Sequence, residues 1–427
     1  MKFSIRNGRI INPASPGNQR DTIGDIAIDN GRIIAVGKLP SGFSAEREID
    51  ASNLIVCPGL IDLRAHLREP GQEHKATISS ESRAAASAGI TTLCCPPDTQ
   101  PIIDTPAVAT LIHDQAANAG LTHVLPLGAL TQNLAGKQLS EMAALKDAGC
   151  VGVSNAMRPM ADYQVARRAL QYAATHGLSV FIHAEDPALS NQGCAHEGAV
   201  ATRLGLPGIP SAAETVAVAS YLALIEATGA RAHFCMLTTA SAVTQVARAR
   251  YDGLPVSADV SAHHLHLTEL DVLDFDSQCH VRPPLRTQRD CDALRQGLAD
   301  GTLSAICSDH QPHENDAKLS PFSTTAAGIS GLETLLPLSL KLCEDSNMDI
   351  VDVISRLTTG PADILGIEAG KLASGHAADI CIFDPEQYWT LSLDNIVSRG
   401  HNSPFLNWEL KGKVTHTLLN GKITYEA

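Results

Sequence analysis

The stretch "NLIVCPGLIDLRAH", residues 53–66, is apolar almost throughout and then turns polar. A short β-prone run without alternation is the pattern of a strand covered on both faces, as in a parallel sheet flanked by helices. Seven further runs share this character: "ITTLCC" (90–95), "HVLPLGA" (123–129), "CVGVS" (150–154), "LSVFIHA" (178–184), "AHFCML" (232–237), "LPVSADV" (254–260) and "LSAICSD" (303–309). Helical patterns fall between them, such as "ADYQVARRALQYAATHG" (161–177) and "SAAETVAVASYLALIEATG" (211–229). Eight strands alternating with helices is the count of a closed α/β (β/α)8 TIM barrel, expected over residues 58–365. In the second helix Ser211 and Glu214 form an S-x-x-E capping box, which places Ser211 at the helix start with its hydroxyl near the backbone of Glu214.

The two ends of the chain share another grammar. "MKFSIRNGRIINP" and "DIAIDNGRIIAVG" near the start, and "WELKGKVTHTLLNGKITYEA" at the end, set Asn-Gly between β-prone stretches, a strong hairpin signal. Residues 1–57 and 366–427 are therefore expected to form one small composite β-sandwich domain beside the barrel.

Bulk composition excludes several classes. The 427 residues include 32 Lys and Arg against 46 Asp and Glu, a formal charge of -14, which disfavours nucleic acid and anionic membranes as partners. No run approaches the roughly 18 apolar residues of a membrane span, and "MKFSIRNGRI" lacks the apolar core of a signal peptide. Eleven scattered Cys, without a C-x-x-C pair, read as buried reduced thiols. A cytoplasmic location is expected.

In a barrel of this kind chemistry sits at the carboxyl ends of the strands. Those ends carry Arg64, His66 and Arg68 on strand one, Ser154 and Asn155 on strand four, and His183 on strand five. Met236 ends strand six, and Asp309 and His310 end strand eight. His113, His123 and His176 lie elsewhere and read as surface or satisfied side chains.

The segments "PGLIDLRAHLREPGQEHKATI", "FIHAED", "VSADVSAHHLHLTE", "HVRPPLRTQRD", "SDHQPH" and "GISGLET", with the terminal "NGRIIAVG" and "SPFLNWELKGKV", together resemble dihydroorotase of the long type, in the amidohydrolase superfamily. The resemblance runs in order along nearly the whole chain. It implies a TIM barrel in which a zinc-bound hydroxide opens the dihydroorotate ring in pyrimidine synthesis, with the strand-eight Asp shuttling the proton. Carried over position by position, it keeps three metal-facing residues, His66, His183 and Asp309. It replaces three others: Arg64 stands in the first position of His-x-His, Asn155 at the strand-four ligand and Met236 in "MLTT" at the strand-six ligand. On the substrate side the resemblance assigns Arg68 and His313, whereas Asp98 in "PPDT" and Arg282 in "RPPLR" depart from the family pattern.

A catalytic zinc wants three good protein ligands and a water. A guanidinium about 3.5 Å from a divalent ion is repelled by roughly 10 kcal/mol at an effective dielectric near 20. A well-made zinc site contributes only about 10–16 kcal/mol. Arg64 is therefore expected to take the place of the metal by pairing with Asp309 through both carboxylate oxygens, and Asp98 to pair with Arg68 or Arg282. Two readings follow. In the first the chain is a non-catalytic dihydroorotase-like protein with a vestigial Asp309 and no cofactor. By resemblance, such a protein joins an aspartate carbamoyltransferase catalytic chain in a homo- or hetero-oligomeric assembly. In the alternative it is an active cyclic amidohydrolase, a dihydroorotase or a hydantoin- or allantoin-type relative, with a rearranged mononuclear zinc site. A third, a pocket that binds an anion or metabolite, rests on Arg64 and Arg282.

Overall fold

The structure, a computed structural model, describes residues 2–427. All eight expected strands form, in the order Leu60–Asp62, Ile90–Cys95, His123–Ala129, Gly152–Ser154, Val180–His183, Ala232–Cys235, Val256–Ser261 and Ala305–Cys307. They are numbered here as barrel strands one to eight. Each pairs in parallel with its predecessor. Nearly every residue in them is buried, which explains why they read as apolar runs and not as alternating ones.

Strands one and eight meet beyond their regular ends. Ala65 and His310 form a parallel bridge, and the His66 amide donates to the His310 carbonyl at 2.8 Å. The His310 amide returns a bond to the Arg64 carbonyl at 3.2 Å. Below this, the buried Asp62 carboxylate accepts the Ser308 amide at 2.8 Å and the Ser308 hydroxyl. Burial pushes the Asp62 carboxyl up to about 6 against those donors. The seam thus fixes Arg64 and Asp309 side by side.

The β-rich ends join one eight-stranded sheet. Lys2–Ile11 is flanked by Asp21–Asp29 and Ile55–Pro58, and Ile55–Pro58 pairs in turn with the C-terminal strand Ile380–Thr390. Glu409–Leu419 and Lys422–Glu426 extend it on that side, and Arg32–Gly37 and Arg47–Asp50 complete it. This sheet has an apolar cluster of its own, in which Phe3, Ile5, Ile26 and Ile28 meet Ile380, Ile382 and Leu418.

The helix expected at residues 211–229 is present as Ser211–Thr228, but the capping box is absent. Pro210 occupies the cap position, and Ser211 makes no side-chain cap bond. Glu214 is drawn away by stronger donors. Its carboxylate accepts the amides and hydroxyls of both Thr238 and Thr239, at 2.6–3.1 Å. All eleven cysteines are free thiols, ten of them buried. Among the described residues no helix is long and apolar enough to cross a membrane.

Candidate functional site

The carboxyl ends of strands one and eight converge on a buried ion pair. Arg64 Nε donates to Asp309 Oδ1 at 2.9 Å, with the two side chains 7% and 1% exposed. The contact is single, not the expected double one, and the Gln311 amide donates to both Asp309 oxygens at 3.1 Å. Burial pushes the Asp309 carboxyl up, and the Arg64 charge and the Gln311 amide pull it back. On the arginine burial acts downward, and the nearby Asp309 and Asp98 carboxylates outweigh it, so the guanidinium stays charged.

Asp98, on the turn after strand two, also differs from expectation. Its Oδ2 takes a bond from His66 Nε2 at 3.2 Å, while Arg282 is engaged elsewhere and Arg68 makes no ion pair with it within 4.0 Å. The neighbour was set by sheet order: strand two lies against strand one, so the turn after it faces His66 first. Burial drives the His66 imidazole below its ordinary pKa, so at neutral pH it donates Nε2–H to an ionised Asp98. Arg64 Nη2, His66 Nδ1 and Asp98 Oδ1 are all buried without a hydrogen-bond partner.

The remaining metal-facing positions have separate surroundings. Asn155 spends its amide on its own loop, accepting from Thr131 Oγ1 at 2.6 Å and donating to the carbonyls of Arg158 and Leu134 at 2.9 and 3.4 Å. Met236 is 1% exposed and lies in an apolar cluster with Leu63, Cys94, Leu127 and Phe181. His183 has both ring nitrogens buried without a hydrogen-bond partner, and its Nε2 stands 3.7 Å from Glu185 Oε2.

On the substrate side, Arg68 and His313 are brought together. Arg68 Nε donates to the Pro312 carbonyl at 3.0 Å, and its Nη2 lies 3.3 Å from His313 Nε2. Burial, with Arg68 and Lys75 beside it, lowers His313 to about 3, so the ring is neutral. It accepts at Nδ1 from Lys75 Nζ (3.2 Å) and donates from Nε2 to the Ala327 carbonyl (3.0 Å). Arg282 forks onto Glu185 through Nε and Nη2. Burial alone would raise Glu185, but His183 and Arg282 hold it down at about 2. The sequence reading missed Glu185, although it stands two residues beyond His183 in "HAED".

A family model described as Dihydro-orotase-like matches residues 53–242. A dihydroorotase-like protein of Pseudomonas aeruginosa is 49% identical over 426 residues, covering 100% of both chains. The chain belongs to the dihydroorotase-like family. A dihydroorotase-like protein of Pseudomonas putida is 47% identical, with 100% of this chain and 99% of that one covered. A dihydroorotase of Geobacter sp. (strain M21) is 40% identical over the full length of both. L-Hydantoinase from Arthrobacter aurescens superposes with a TM-score of 0.88 at 24% identity, covering 99% of this chain and 96% of that structure, a likeness of fold.

Within this dihydroorotase-like chain the residues at the mouth do not fit a zinc ion. Asp309 is committed to Arg64 and Gln311, His66 to Asp98, and His183 stands with Glu185 and Arg282. Among the described residues no three His, Cys, Asp or Glu side chains are grouped to hold a metal. The backbone nevertheless keeps an unusual shape there. Arg68, Met236 and Asp309 all have left-handed φ, at 65°, 53° and 46°. Non-glycine residues adopt that region seldom, chiefly where surrounding structure holds them. Methionine has no local hydrogen bond to favour it, and at Met236 the backbone amide is held by the Asp259 carboxylate.

Proposed function

We propose that this chain is a non-catalytic dihydroorotase-like protein with a structural role in an assembly containing an aspartate carbamoyltransferase catalytic chain. The observation that carries the loss of catalysis is the 2.9 Å Arg64–Asp309 pair. The acid–base residue expected of an amidohydrolase mouth is neutralised there by a fixed cation, at the point where a metal would have to stand. The neighbouring pairs, His66 with Asp98 and Arg282 with Glu185, support the same reading, since each occupies a group a substrate or ligand would need. The partner rests on the family resemblance, and a net acidic charge that disfavours nucleic acid and membranes is consistent with it.

The test has two arms. Purified protein, incubated with excess zinc and desalted, is analysed for metal and for dihydroorotate turnover; zinc well below one per chain and no turnover above the uncatalysed rate are expected. Light scattering after gel filtration with the aspartate carbamoyltransferase catalytic chain of the same cell should then give a species heavier than either alone. Stoichiometric zinc on His66, His183 and Asp309, with turnover of dihydroorotate or a hydantoin, would establish the cyclic amidohydrolase reading instead.

A further inference from the structure

The opposite end of the barrel, away from the Arg64–Asp309 mouth, carries a polar cavity of about 480 Å³. It lies where strands five to eight begin, between Ser179, His233, Ser257 and Ser304 on the strand side and the segment Ser355–Asp363 on the helix side. That volume is in the range of small-molecule sites. Three arginines line it, Arg231, Arg250 and Arg356.

Their hydrogen bonds all go to neutral oxygens. Arg231 donates to Ser179 Oγ at 2.6 Å and to the Ile364 carbonyl at 3.1 Å. Arg250 Nη1 donates to the carbonyls of Gly301 and Thr302, the latter at 2.8 Å. Arg356 donates to the Leu298 carbonyl at 2.9 Å through Nη2. Arg250 and Arg356 flank the same glycine, for a Cβ on Gly301 would stand 3.6 Å from Arg356 Nη2. These bonds hold the guanidiniums in place without cancelling their charge. Asp352, the acid that favours the Arg356 charge most, is already paired with Arg20 at 3.3 Å. Asp363 also lines the cavity and is exposed, as Arg231 and Arg250 are, and it makes no ion pair with any of the three. Arg231 Nη1 and Arg250 Nε and Nη2 make no bond within the described residues, and Ser257 and Thr359 add hydroxyls to the wall.

In a chain with 14 more acidic than basic residues, three unpaired arginines around one cavity are a local reversal of sign. Like charges gathered at one place favour an anion there, and a planar guanidinium presents a fork matched to phosphate oxygens. We propose that this floor cavity binds a phosphate group, either as inorganic phosphate or as the phosphomonoester of a small metabolite. The carbonyl bonds preorganise the arginines, and the cavity volume leaves room for an organic group beyond the phosphate. The site is independent of whether the chain turns over a substrate at its mouth.

Calorimetric titration of the full chain at low salt with inorganic phosphate and with D-ribose 5-phosphate tests the idea, with potassium chloride at matched ionic strength as control. Saturable one-site binding is expected, weakened about tenfold or more in Arg231→Gln and in Arg250→Gln. Tighter binding of the sugar phosphate assigns the site to a phosphomonoester, and equal binding to inorganic phosphate. Crystals soaked in tungstate, a heavy tetrahedral oxyanion, give a readout that needs no variant, with an anomalous peak expected among the three guanidiniums. No heat with either ligand, binding unchanged in both folded variants, or a tungstate peak only elsewhere would overturn the assignment.

Discussion

Arg64 and Asp309 together form a charge pair with almost no contact with water, and neither can be removed alone at small cost. Replacing Arg64 by Leu leaves Asp309 a buried carboxylate with only the Gln311 amide to satisfy it, and should destabilise the fold by about 3–5 kcal/mol. The double variant Arg64→Leu with Asp309→Leu should recover a large part of that loss, read as the shift in urea midpoint at constant slope. Arg64→His, by contrast, should restore neither zinc binding nor turnover. Asn155 remains bonded to its own loop and Met236 remains in the apolar cluster, so atomic absorption and a dihydroorotate assay should both stay at background. The Arg64 substitution was legible in sequence because a fixed positive charge at a ligand position has one obvious counter-ion on the adjacent strand. The partner of Asp98 was not, since a neutral histidine donor competes with arginine only through position, and position comes from strand order.

The barrel strands show what periodicity can deliver at the level of elements. Eight apolar runs became eight strands because parallel strands covered on both faces have few polar positions to confuse the pattern. The capping box failed for a physical reason of the same scale. A local S-x-x-E motif competes with whatever donors the next loop brings, and here the turn after strand six brings two backbone amides and two hydroxyls to Glu214. Glu214 thereby fixes the start of helix Ala240–Tyr251, whose cap is Thr239. Glu214→Ala should cost about 3 kcal/mol or more, as it strands several buried donors, while Glu214→Gln should cost less. Amide hydrogen exchange at Thr238 and Thr239 should accelerate in the alanine variant well beyond the glutamine one.

Across the whole molecule, burial keeps a set of histidines neutral. It lowers His264, His266 and His280 to about 4 and His313 to about 3. Between those values and the unfolded pKa near 6.5, the unfolded chain binds more protons, so stability falls as pH falls. Asp62, raised to about 6, acts in the opposite sense and offsets roughly one of the four. These five groups together should contribute a loss on the order of 4 kcal/mol per pH unit between about pH 6 and 4.5. Urea titrations at pH 7, 6 and 5 measure it directly; a flat midpoint would refute it. The sheet shared by both chain ends has a consequence in time as well as in space. Strand Ile55–Pro58 waits for Ile380–Thr390, more than 300 residues later in the chain. At synthesis rates of about 5–20 residues per second, its apolar edge stays open for tens of seconds on the ribosome. Nascent chains stopped before residue 380 should therefore present that edge to chaperones or to one another, and the last strands to emerge act as the latch that makes the first ones safe.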